Sequence, residues 1–347
     1  MSKRSTSGNR PGRLRRWWRR LRNAFLISLL VLGLLEVTYR FQWVDFYSPE
    51  FSILNPSANP DHSGTTVLIG GDSFSADSSG YVSDLRKQLP QHQILNAAIP
   101  GTGIIEAATV LPGRIAHYQP DIFVYQLYVG NDLLDISHPI DFQANSIARN
   151  LYWMASDRAR SLAFMNYRFG QLKSSLFGEA PLSAMPVTDE REFDPPLYAA
   201  RSHLYFKAEP NLVSNSVNLT NGREEDMSRL VDELQGLTDQ LPETCRIYLL
   251  VVPHCAQLND RYLFRMTQVG AAFPEPGQLL ETEFPFLRQL ELAYANDERC
   301  TVINALPALR ARDSESDPVY YANDPHLNPR GKRVLAELLF RELSSGP

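Results

Sequence analysis

Cysteine is scarce in this 347-residue sequence. The three present, Cys245, Cys255 and Cys300, stand at spacings that match no metal motif, which excludes a metal centre built on paired thiolates. No segment repeats itself, and no long stretch has the composition of a disordered tail. Solenoid and unfolded classes are therefore excluded. Acidic residues are absent from positions 1–22, which hold nine Lys or Arg. An unbroken apolar run of full membrane-spanning length is also lacking, because the uncharged core at 24–35 (AFLISLLVLGLL) has only twelve residues. No small-residue A-x-A site follows it, which argues against its removal as a signal peptide.

What is present begins with a charge asymmetry. The net charge is -5, but without the first 22 residues 25 basic side chains face 39 acidic ones, about -14 for the rest. A basic head leading straight into apolar sequence indicates a membrane topology signal and not a nucleic-acid arm. Trp17, Trp18, Tyr39 and Trp43 flank the apolar segment, as interfacial aromatics do. The expectation is a basic cytoplasmic segment at 1–22, an uncleaved transmembrane signal anchor at 23–43 and a linker at 44–64. The domain at 65–347 would then lie outside the cytoplasm, in the periplasm of a Gram-negative cell.

Within that domain short apolar runs alternate with helical patterns. Strands are expected at 65–69 (TTVLI), 93–98 (QILNAA), 121–129 (DIFVYQLYV), 246–252 (RIYLLVV) and 301–304. Helices are expected at 81–89, at 104–118 with a kink or break at Pro112-Gly113, and at 227–241. Asn328 can cap a last helix that has Pro329 in its first turn. Alternation of this kind predicts a three-layer α/β domain with a parallel sheet. Residues 137–222 break the alternation and read as an insertion at the active-site rim. Its aromatics, among them Tyr152, Trp153, Phe164, Tyr167 and Phe169, are expected to pack together, with stacking on a sugar ring as the alternative.

In an open α/β sheet, ligands bind beyond the carboxyl ends of the strands. The polar residues there are Gly71-Asp72-Ser73-Phe74-Ser75 after the first strand, Pro100-Gly101-Thr102-Gly103 after the second and Gly130-Asn131-Asp132 after the third. Asp324-Pro325-His326 precedes the last helix. Together they supply what acyl transfer needs. Ser73 is the candidate nucleophile, His326 the base that takes its proton, and Asp324 the acceptor that orients the imidazole. The backbone N–H groups of Ser73 and Gly101 and the side-chain amide of Asn131 are candidate donors for an oxyanion. Asp72 and Asp132 read as loop-holding residues. His254, after the fourth strand, is either a substrate contact or an ordinary polar loop residue.

In order, these blocks, with Asn96 beside Gly101, resemble the four signature blocks of the SGNH (GDSL-type) hydrolases. The resemblance spans 65–343. It implies a flavodoxin-like five-stranded parallel sheet in order 2-1-3-4-5, Ser73 as nucleophile, His326 as base, oxyanion donors at Ser73, Gly101 and Asn131, and neither metal nor cofactor. One departure stands out: the family's usual Asp, three residues before the His, is Asn323 here, and Asp324 is two before. The family's strand order also places Cys245 and Cys300 at the amino end of neighbouring strands, where they could form a disulfide.

A serine esterase acting on ester-linked acyl groups, acetyl above all, of a cell-surface carbohydrate or lipid is the expected function. The alternatives are an O-acyltransferase that passes the acyl group to an extracytoplasmic polysaccharide, and a non-catalytic carbohydrate-binding or scaffolding relative. The expected partners are an ester-bearing small molecule or carbohydrate and the membrane, with no nucleic acid.

Overall fold

The structure, a computed structural model, describes residues 11–177 and 192–344. Its centre is an all-parallel sheet of β1 (Thr66–Gly70), β2 (Gln93–Asn96), β3 (Ile122–Tyr128), β4 (Arg246–Val252) and β5 (Cys300–Asn304), in order β2-β1-β3-β4-β5. All seven residues of β3 are buried, as a strand covered on both faces requires. Each apolar run expected as a strand is one, within two residues at either end.

Before the sheet stand α1 (Pro11–Arg40) and α2 (Ser48–Leu54). Between the first three strands come α3 (Tyr81–Gln88) and α4 (Ile104–Tyr118). From β3 to β4 the chain forms α5 (Asp132–Ile136), α6 (Ile147–Ser156), α7 (Arg160–Phe177), α8 (Ala200–Ala208), α9 (Leu212–Asn218) and α10 (Arg223–Thr238). After β4 come α11 (Asp260–Val269), α12 (Pro276–Leu279) and α13 (Pro285–Ala293), and after β5 α14 (Leu306–Arg312) and α15 (Pro329–Ser344).

The strand order reverses direction once, between β2 and β3. Right-handed crossovers therefore put α3 on one face and α4 on the other. α15 packs on α3 and α14, while α10 packs on α4 and α13, giving two helical layers over one sheet. The order reversal opens a crevice at the carboxyl ends of β1 and β3, where the site forms.

α4 runs through Pro112 as one helix, so of the kink or break expected there the break does not occur. Pro112 forfeits one ladder bond, but Ala107, Val110, Leu111 and Ile115 anchor the helix by burial on both sides of it. Asn328 caps α15 as expected, its Oδ1 accepting from the N–H groups of Arg330 and Gly331 at 2.9 and 3.1 Å.

The Cys245–Cys300 disulfide is not formed, and all three cysteines are free thiols. The register explains this. Cys300 lies opposite Ile247, so Cys245 is two residues out of step. An offset of two residues between adjacent strands separates the Cα atoms by roughly 8 Å, beyond the ~7 Å that a disulfide spans.

The segment expected as a linker carries α2 and lies against the domain. Asn55 exchanges two hydrogen bonds with the backbone of Asn96, of 2.6 and 2.7 Å, and so covers the exposed edge of β2. Glu50 of α2 pairs with Arg168 of α7 at 2.6 Å. α1 ends on the same elements. Tyr39 is fully buried, and the Glu36 carboxylate accepts from the N–H groups of Arg160 and Ser161 at 3.1 and 2.9 Å, capping α7.

Candidate active site

The loop after β1, which carries the candidate nucleophile, is shaped by its own residues. Gly71 has φ of +144°, and a Cβ there would come within 2.7 Å of the Gln126 side chain, so only glycine serves. Asp72 then folds the loop. Its Oδ1 accepts from the N–H of Phe74 at 2.9 Å, and its carbonyl accepts from Ser75 and Ala76 at 3.2 and 3.0 Å. Gln126 of β3 accepts from the Asp72 N–H and the Ser75 hydroxyl at 3.3 and 3.0 Å. Ser73 is left at the crest with its side chain partly open. Asp72 is thus a loop-holding residue. Burial pushes its carboxyl up to about 6, and its Oδ2 is enclosed without a partner among the described residues.

His326 arrives from the far end of the chain. A β-bridge between Tyr320 and Leu327 closes a turn that presents residues 321–326 toward β1. The Nε2 of His326 lies 2.7 Å from Ser73 Oγ, and its Nδ1 lies 2.5 Å from Asp324 Oδ1. Asp324 also accepts from the backbone N–H of His326 at 2.9 Å. Burial works to raise the Asp324 carboxyl. The hydrogen bonds and charge of His326 outweigh it and hold the group below the usual carboxylate range. The Phe74 ring, 4.7 Å from the imidazole, limits its rotation. Lys332 of α15 binds Asp77 at 2.6 Å and ties the His-bearing segment to the Ser-bearing one.

Asn323, at the family's usual Asp position, serves another purpose. Its Oδ1 accepts from the N–H of Asp194 at 2.8 Å, and its carbonyl accepts from Ala199 at 3.1 Å. It fastens the chain before α8 to the His326 loop, and the shorter Asp324 spacing takes over the contact with the imidazole.

The oxyanion candidates divide. Gly101 has φ of +73°, and nothing lies within 4 Å of the position of a Cβ, so its backbone faces open space. Ser73 and Gly101 both line the large cavity. Among the described residues, neither of their N–H groups has a protein acceptor. Asn131 does not line that cavity. Its Nδ2 donates a long bond of 3.4 Å to Asp135, and its Oδ1 is buried without a partner among the described residues. Asp132 holds its loop by accepting from the Tyr128 N–H at 2.9 Å, and burial raises its carboxyl well above the usual range.

Ser73, Gly101, Thr102 and His326 line a cavity of about 890 Å³. α6, α7 and α8 wall it with Tyr152, Trp153, Tyr167, Phe169 and Tyr205, and Arg40 at the end of α1 reaches its rim. Phe164, in contrast, packs with Tyr39, Phe46 and Tyr47. His254 does not line the cavity. It is buried, its Nδ1 accepts from Ala256 at 3.1 Å, and burial lowers it to about 3. No group of three or more His, Cys, Asp or Glu able to hold a metal occurs among the described residues.

The chain is similar to solved ester hydrolases. One is an acetyl xylan esterase, AlAXEase, at 12% identity and TM-score 0.41, with 80% of this chain and 99% of that one covered. A second is a lipase/acylhydrolase from Enterococcus faecalis, at 12% identity and TM-score 0.38, covering 80% and 95%. A third is a catalytic mutant of Axe2, an acetylxylan esterase from Geobacillus stearothermophilus, at 12% identity and TM-score 0.40, covering 83% and 98%. No family model matches the sequence, and no curated protein matches it. At these identities and TM-scores the likeness carries no argument, and fold, substrate and mechanism rest on the chain's own residues. The sheet order β2-β1-β3-β4-β5 is the one the SGNH resemblance implies.

Sequence reading missed Asp135 and the arginines of the cavity. Asp135 stands four residues after Asn131, one helical turn on, which is a legible signal. The arginines lie on helices, or for Arg158 in the turn between α6 and α7, whose pattern says nothing about the sheet rim.

Proposed function

We propose that the chain is an SGNH-type serine esterase that forms an acyl-enzyme on Ser73. The observation that carries this is the hydrogen-bonded series Ser73 Oγ, His326 Nε2, His326 Nδ1, Asp324 Oδ1 beside a cavity that Ser73 and His326 line. In this reading Ser73 Oγ attacks the ester carbonyl carbon as its proton passes to His326 Nε2. Asp324 keeps the other ring nitrogen protonated and supports the imidazolium. The N–H groups of Ser73 and Gly101 receive the oxyanion, and Asn131 joins them by turning its amide from Asp135. Collapse expels the alcohol, which takes the proton from His326. Water, deprotonated by the same nitrogen, then releases the acid and restores Ser73.

The acyl group is proposed to be acetyl or another short chain on a carbohydrate or lipid. An O-acyltransferase uses the same acyl-enzyme, and a cavity of about 890 Å³ leaves room for an acceptor beside the ester. The intact series of hydrogen bonds argues against a purely binding role. α1 is long and apolar enough over Arg15–Arg40 to cross a membrane. We propose that it anchors the chain, with residues 1–22 cytoplasmic and the domain on the periplasmic side.

Full-length protein in detergent, given p-nitrophenyl acetate with and without oligosaccharide acceptors, tests the reading. Release without acceptor supports the esterase, and acetylated sugar supports the transferase. No release and no fluorophosphonate labelling of Ser73 would refute both.

A further inference from the structure

The charge of the cavity runs against that of the molecule. Outside the first 22 residues the chain carries about -14, yet seven of the residues lining the cavity are Lys or Arg and three are Asp or Glu. Several of these cations are paired: Arg40 with Glu36, Arg160 with Glu233, and Arg201 more distantly with Asp135 at 3.7 Å. Arg149, Arg158 and Arg229 differ. None has a carboxylate within 4.0 Å among the described residues. Arg149 lies over the Trp153 ring at 5.9 Å, and Arg158 donates only to the Met154 carbonyl at 2.7 Å. All three are exposed, on or beside different helices, and all line the cavity that Ser73 also lines.

The three acids offset this less than their number implies. Asp157 is bound to His138 at 2.5 Å. Burial, with Asp135 nearby, pushes Glu106 up to about 7, and burial likewise raises Asp135. Unpaired guanidinium groups at the walls of a partly enclosed cleft concentrate the field there and draw in anions.

We infer that the ester substrate carries an anionic group, a carboxylate or a phosphate, which Arg149, Arg158 and Arg229 hold while the ester reaches Ser73. This rests on the reading of Ser73 as nucleophile for the reaction, but not for the binding.

The test uses full-length protein in detergent and matched monoacetylated substrates. One is methyl glucoside, one methyl glucuronoside, and one methyl glucoside 6-phosphate. The first has no charge, and the other two separate carboxylate from phosphate. At low salt at least one charged substrate is expected to exceed the neutral one in kcat/KM by about ten-fold or more, with the ratio falling as salt is raised. Joint substitution Arg149→Gln, Arg158→Gln and Arg229→Gln is expected to cut that ratio about ten-fold, and the Lys series to retain most of it. A ratio of one or less for both charged substrates in the unaltered protein overturns the inference. Should no substrate turn over, the esterase reading fails by itself. Binding of the unacetylated glycosides by calorimetry then decides the inference: tighter binding of a charged glycoside supports it, and equal binding overturns it.

Discussion

Asp324 holds His326 twice, through the ring Nδ1 at 2.5 Å and through the backbone N–H at 2.9 Å, both on the same carboxylate oxygen. A spacing of two residues makes this possible, because the carboxylate turns back over its own loop as turn aspartates do. Asp324→Asn is expected to lower kcat by about 10³ to 10⁴, through loss of the tautomer that presents Nε2 as a base. Fluorogenic acetate assays with matched thermal melts would check it. Near-normal turnover would remove Asp324 from the mechanism.

Asn131 provides a sharper distinction. In the proposed role its amide leaves a long 3.4 Å bond to Asp135 for the oxyanion. Asn131→Ala is therefore expected to cost about 10² to 10³ in kcat with little change in KM. A fall in melting temperature at unchanged kcat would mean that the side chain only secures Asp135.

Glu106 gives the fold a pH dependence of known sign. Its carboxyl is pushed from an ordinary 4.5 to about 7 by burial, with Asp135 adding to the effect. The folded state thus holds a proton that the unfolded chain has already lost. That contribution to stability is complete below about 4.5 and is lost as pH rises through about 7. Melting temperature should fall across this window, and Glu106→Gln should flatten the fall. A parallel profile for the two proteins would contradict the assignment.

Lys332 and Asp77 form a nearly enclosed ion pair between α15 and the nucleophile loop, 2.6 Å apart. Lys332→Met strands the buried carboxylate and is expected to destabilise by about 3 kcal/mol, measurable by urea unfolding. Replacing both partners should cost less than replacing Lys332 alone.

The sheet was legible because each strand is a short apolar run closed by Gly, Pro or Asn, and a buried parallel strand needs little more. Three blocks of the candidate site were legible for the same reason, because they follow β1, β2 and β3, while Asp324-Pro325-His326 was legible from its place before α15. Four features were not. Pro112 announced a kink or break, and packing on both of its flanks overrides the break. Cys245 and Cys300 looked like neighbours, but their register is fixed by backbone pairing that no local pattern encodes. The cavity walls come from α6, α7 and the end of α1, brought together by long-range contacts such as Glu36 on Ser161 and Asn323 on Asp194. His254 occupied the expected sheet edge, yet its ring faces its own backbone.

The central claim is a covalent intermediate on one hydroxyl. Acid-quenching the full-length protein within milliseconds of mixing with p-nitrophenyl acetate, then mapping peptides by mass spectrometry, tests it most directly. The account predicts an acetylated peptide whose modified residue is Ser73, absent in Ser73→Ala and accumulating far more slowly in His326→Ala. Product release with no acetyl on Ser73, or with the acetyl on another residue, would contradict it.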